Sequence, residues 1–170
     1  ATDDRWVLRY QVNPEFAETA EYPLILDPVV KTDKTTSSMQ MAYTSSKKPT
    51  TNYPVTGYST KVSANDYTLG KVDTFLKFNS DALPSIDSSY YVTNAMLTLY
   101  TTAANNNVPV YLKEVLSDWS SNSITYNNRP SISEMPLEYK GSKNASGLTL
   151  EYNITNLVRT CYDSENYGIM

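Results

Sequence analysis

A chain of 170 residues with net charge −4, no histidine and a single cysteine excludes several kinds of protein. Without histidine there is no Ser-His or Cys-His nucleophile pair, no customary general base and no imidazole-bound zinc. Cys161 alone cannot form an intrachain disulfide or a structural zinc or iron–sulfur centre, and the scattered acids and bases leave no basic stripe for nucleic acid.

The longest apolar run is far short of the ~20 residues that span a bilayer, so no membrane insertion is expected. Fifteen Tyr stand against three Phe and two Trp, and only five Gly are present. Tyr and Thr suit pleated, half-buried surfaces, whereas the abundant Ser, Asn and Pro suit turns. The composition predicts an all-β protein with little helix, of a length that fits one domain.

In chain order, residues 1–28 behave as an N-terminal strand segment from a preceding region. "RWVLRYQV" (5–12) alternates as a strand, and "YPLILDP" (22–28) is a short apolar strand stopped by Pro28. The opening "ATDDRWVLRY" carries no signal peptide, and the chain is expected to be excised from something longer. Residues 29–170 are expected to form the sandwich. Weak strands fall near "SSMQMAYT" (37–44) and "NYPVTGYS" (52–59), among long polar loops.

Clearer strands follow at "VDTFLKF" (72–78), "YVTNAMLTLYT" (91–101), "VPVYLKEVL" (108–116) and "GLTLEYNI" (147–154). In the second of these, Leu97 and Leu99 share one face while Met96, Thr98 and Tyr100 share the other. "TNLVRTCYD" (155–163) reads as a short helix or turn, with Cys161 a small buried hydrophobe. "NYGIM" (166–170) closes the chain. Short strands separated by turn chemistry argue a two-sheet sandwich or a barrel, and the two-sheet antiparallel sandwich is the expectation.

Little catalytic chemistry remains. "SSKK" (45–48) has Ser-x-x-Lys spacing but lacks the companion motifs of serine-lysine enzymes. Paired carboxylates are the open option, with Asp118, Glu134, Glu138 and Glu151 able to meet across a sheet. A structural Ca²⁺ would want several hard oxygens. Asp163 and Glu165 in "YDSENYG" (162–168), or Asp27 or Asp33 with loop carbonyls, are the candidates, and an ordinary polar turn explains the same residues.

The stretch "SDWSSNSITYNNRP" (117–130) is the most distinctive. An indole at a strand crossover most often plugs the open end of a sandwich, burying about 200 Å². Arg129 is expected to bond strand-end carbonyls or a carboxylate such as Asp118. The same loop offers glycan contacts: Trp119 and Tyr126 as flat platforms, Asp118, Asn127, Asn128 and Arg129 for hydroxyls. Tyr43, Tyr53, Tyr58, Tyr67, Tyr90, Tyr91 and Tyr100 are alternative platforms.

Three segments in order, "VDTFLKFNSDALPSIDSSYYVTNAMLTLY" (72–100), "VYLKEVLSDWSSNSITYNNRPSI" (110–132) and "LEYNITNLVRTCYDSENYGIM" (150–170), resemble the DNRLRE domain, a family allied to disaggregatase-type carbohydrate-binding modules. The upstream "EYPLILDPVV" is similar to the segment that precedes such domains in bacterial RHS/YD-repeat and wall-associated proteins. This chain departs from the family pattern at Asp73 and Thr74, where an Arg is usual nearby. Tyr126 and Cys161 stand where the family carries tryptophans, and Met170 falls before the family's last strand would finish.

The resemblance implies a jelly-roll-like sandwich acting as a non-catalytic carbohydrate-binding or adhesion module of a larger secreted or cell-surface bacterial protein. Its partners would be a polysaccharide or surface glycan and the flanking domains of the same polypeptide. Two alternatives remain open: a structural spacer with no small-molecule ligand, and a carboxylate-based polysaccharide lyase or hydrolase.

Overall fold

A computed structural model describes residues 39–57, 59–79, 91–100, 110–136, 139–140, 149–163 and 166–170. All of them belong to one compact unit, Thr32–Met170. The strands expected within 1–28 lie outside the described residues. The described residues form an all-β sandwich of two antiparallel sheets, with one short helix among them.

The first sheet holds β1 (Met39–Ser45), β2 (Tyr53–Pro54), β3 (Ser63–Asp66) and β4 (Gly70–Phe78), in the order β2-β1-β4-β3. Pro54, which has no N–H to give a ladder, sits on the short outer strand β2. Both inner strands bury residues on both faces, Met41 and Val72 on one and Ala42 and Phe75 on the other. Their register pairs Ala42 with Phe75 and Thr44 with Asp73 on one face, and Met41 with Leu76 and Tyr43 with Thr74 on the other. Phe75 and Ala42 are fully buried. Burying a side chain such as Phe75 contributes about 1.5–3 kcal/mol.

The same ladder continues through single bridges. Leu76 and Ile169 exchange both backbone hydrogen bonds at 2.8 Å, and Lys113 and Met170 do so at 2.9 Å. Val115 bridges Ile132 in turn. Gly168 permits this insertion. Its φ is +81°, and a Cβ there would strike the Leu76 carbonyl oxygen.

The second sheet contains β5 (Met96–Tyr100), β6 (Tyr139–Lys140) and β7 (Thr149–Asn153), in the order β5-β7-β6. The alternation read in the sequence holds: Leu97 and Leu99 are half-buried, while Met96, Thr98 and Tyr100 are exposed. Leu150 and Tyr152 of β7 join Leu112, Ile154, Leu157 and Ile169 in one core, against which Leu76 packs. The Tyr152 hydroxyl donates to the Val110 carbonyl at 2.9 Å, so its polar end is satisfied at full burial.

Helix α1 (Thr155–Asp163) follows β7 at once. Asn153 starts it by accepting from the Thr155 N–H (3.0 Å) and hydroxyl (2.7 Å) through its side-chain oxygen. Cys161 is half-buried rather than fully buried, at the helix surface. No helix among the described residues is long and apolar enough to cross a membrane. The connections that would define a jelly roll lie outside the described residues.

Candidate functional site

The 117–130 loop roofs the Ala42/Phe75 face of the first sheet. Trp119, 7 % exposed, packs with Phe75, Val115 and Ile124, its ring tilted 58° to Phe75 at 5.8 Å between centroids. Its Nε1–H donates to the Tyr167 carbonyl at 2.7 Å. Lys77 holds the strand side of the loop, donating to the Trp119 carbonyl at 3.1 Å and to Asp118 at 2.9 Å. The lysine hydrogen bond, then the Trp119 N–H, hold the Asp118 carboxyl below its usual range.

The loop is closed by its own amides. Asn128 accepts from the Thr125 N–H and hydroxyl and donates to Ser123 O, as Asn does in turns. Asn52 donates its amide to both Ser121 O (3.0 Å) and Ile124 O (2.7 Å). The Asn127 N–H donates to Pro49 O at 3.1 Å, and the residue is exposed. Arg129 lies with its guanidinium carbon 3.5 Å from the Tyr126 ring centroid. Its Nε donates to the Tyr126 carbonyl, and its Nη1 pairs with Asp73 at 3.0 Å. The carboxylate partner is therefore Asp73, not the expected Asp118, because Lys77 reaches Asp118 first.

Of the six loop candidates, the structure brings Tyr126 and Arg129 together, turns Asn128 inward on its own loop and buries Trp119. Asp118 stands away from them, at Lys77. Among the metal candidates, Asp27, Asp33 and Glu165 lie outside the described residues, and of Asp163 only the helical backbone is described. Among the described residues no three His, Cys, Asp or Glu side chains converge. Of the carboxylates weighed for catalysis, Glu151 and Glu134 are exposed, and Glu138 lies outside the described residues.

The opposite face of the first sheet carries a different group. Tyr43 and Tyr53 pair across β1 and β2, and their rings stack at 4.7 Å with 13° between planes. The Lys61 ammonium stands over Tyr43 at 5.4 Å from the centroid. Thr74, next in the row on β4, donates its hydroxyl to the Lys61 carbonyl at 2.6 Å and lies 2.8 Å from the Thr60 hydroxyl. Antiparallel register puts these residues side by side, and the strands beneath hold them rigid. Half-exposed tyrosines, hydroxyls and an ammonium on a fixed sheet can meet sugar C–H patches and hydroxyls together.

Tyr43, Tyr53 and Tyr67 were legible as possible platforms. Lys61 and Lys47 were not, because their partners are distant in sequence. A cation spaced to reach an aromatic through a sheet register leaves no local signal.

A two-sheet sandwich that fixes tyrosines beside cations and hydroxyls carries the side-chain types that polyhydroxylated ligands meet. The chain belongs to carbohydrate-binding module family 96, whose model matches residues 32–169. No curated protein matches the sequence.

Proposed function

We propose that this chain binds a glycan on the β2-β1-β4 face of its first sheet, with Tyr53 and Tyr43 as the aromatic contact. Lys61 would donate to sugar hydroxyls, and the Thr60 and Thr74 oxygens, whose protons are already committed, would accept from them. The stacked Tyr43–Tyr53 pair under the Lys61 ammonium carries this reading. Family membership supports carbohydrate as the ligand class. The module acts without catalysis, as a DNRLRE-type domain of a larger secreted or cell-surface bacterial protein whose other domains it anchors to the glycan.

A glycan array with the isolated chain tests it, followed by affinity measurement on the best ligand. Tyr53→Ala is expected to weaken binding by roughly tenfold, the scale of one lost aromatic contact. Tyr100→Ala, an exposed tyrosine on the second sheet, leaves binding unchanged. No array signal above background, beside a working control module, would favour the spacer reading instead.

A further inference from the structure

We infer that the glycan contact is an elongated strip reaching the β3–β4 turn, so that the site takes an internal stretch of a linear polysaccharide rather than a chain end or a single sugar. This inference rests on the binding face proposed above and extends it along β3.

Tyr67, at the tip of that turn, is 95 % exposed. A tyrosine so placed would ordinarily be mobile, yet its backbone is fixed from three sides. The Asp66 carboxylate accepts from the Thr68 and Leu69 N–H groups, both at 2.8 Å. Lys47 donates its ammonium to the Tyr67 carbonyl at 2.7 Å and lies 5.7 Å from the ring centroid. Gly70 closes the turn at φ +71°. The ring is thus presented on a preorganised support, which lowers the ordering cost of binding.

The strip is continuous in chain and in charge. Lys61, over Tyr43, leads directly into β3, which ends at Asp66 beside Tyr67. The Asp66 carboxyl feels both Lys61 and Lys47 among the influences that lower it. Two aromatic posts, each with its own lysine, therefore flank one carboxylate. Lys61 and Tyr67 are six residues apart, and the three steps of β3 between them already span about 10 Å at roughly 3.3 Å each, more than one sugar ring covers. A ligand touching both posts must be an oligomer.

The test uses native affinity electrophoresis of the whole chain in gels holding mixed-linkage β-glucan, xylan, glucomannan, polygalacturonate or alginate. Calorimetry then follows with the disaccharide and hexasaccharide of each retaining polymer. The strip predicts at least tenfold tighter binding of the hexasaccharide. Tyr67→Ala should erase most of that advantage while leaving the disaccharide affinity as it was, and Lys47→Ala should do the same to a lesser degree. Tyr53→Ala should weaken both ligands.

Equal affinity for the two lengths, or a Tyr67→Ala variant that binds the hexasaccharide like the wild type, overturns the strip and leaves the Tyr43–Tyr53 contact standing. Retention of the wild type by none of the polymers overturns the carbohydrate reading itself, and the strip with it.

Discussion

Arg129 and Asp73, 56 residues apart, meet at 3.0 Å between Nη1 and Oδ2 and tie the 117–130 loop to the middle of the first sheet. Asp73 sits at 9 % exposure inside a strand, where an uncompensated carboxylate would be costly. Lys71 lends a second, more exposed partner at 3.2 Å. The loop thus supplies the counter-charge that lets an acid occupy an inner strand.

Removing the arginine leaves that acid with Lys71 alone. Arg129→Met is expected to destabilise the fold by about 2–3 kcal/mol, below the full cost of breaking a buried pair because the guanidinium is partly exposed. Urea unfolding should show a lower midpoint at unchanged slope. The double variant Arg129→Met/Asp73→Asn should recover part of the loss.

Trp119 is expected to behave as a core residue. Trp119→Ala should cost about 3–5 kcal/mol through its cavity. Trp119→Phe should cost about 1–3 kcal/mol, because the Tyr167 carbonyl loses its indole donor. Thermal unfolding checks both, and glycan affinity measured well below the transition should stay within twofold or so for the phenylalanine variant.

Gly168→Ala should detach the closing segment. The added methyl meets the Leu76 carbonyl oxygen, and φ +81° is itself unfavourable for alanine. The expected cost is at least about 2 kcal/mol. Hydrogen exchange should show the Ile169 and Met170 amides losing protection before those of Tyr43 and Phe75.

The Tyr67 turn should respond to acid. Hydrogen bonds from the Leu69 and Thr68 N–H groups, the first the larger cause, hold the Asp66 carboxyl below its ordinary 3.8, with Lys61 and Lys47 adding to them. A depressed acid stabilises the fold above its unfolded value and loses that contribution as pH falls through the folded one. The turn is therefore intact above pH 3.8 and loosens below it. The Thr68 and Leu69 amide resonances should titrate together in that lower range. Asp66→Asn, which keeps the acceptor oxygen, should abolish the titration.

The sequence by itself determined the β class, the strands β1, β4, β5 and β7, and the chemistry that is missing, whereas β3 and β6 were not legible in it. Alternation at Leu97–Tyr100 and the break into α1 at Thr155 are local properties, since side-chain direction follows the backbone period over a few residues. The absence of histidine needed no structure at all. The segments at 52–59 and 108–116 are less regular than their composition suggested: among the described residues only Tyr53–Pro54 is ladder-paired in the first, and the second pairs through single contacts at Lys113, Glu114 and Val115 rather than as a strand. In the second, Val115 and Leu112 belong to different cores, so the alternation is interrupted between them.

Tertiary structure decided which polar residues meet. Whether Arg129 found Asp73 or Asp118, and which tyrosines stack beside which lysines, depended on strand register and loop course. Contacts of that kind join residues tens of positions apart, and a single chain of letters carries no term for the distance between them. Fifteen tyrosines offered too many platforms to choose among; strand register alone places Tyr43 opposite Tyr53, and the β3–β4 turn alone leaves Tyr67 bare at its tip.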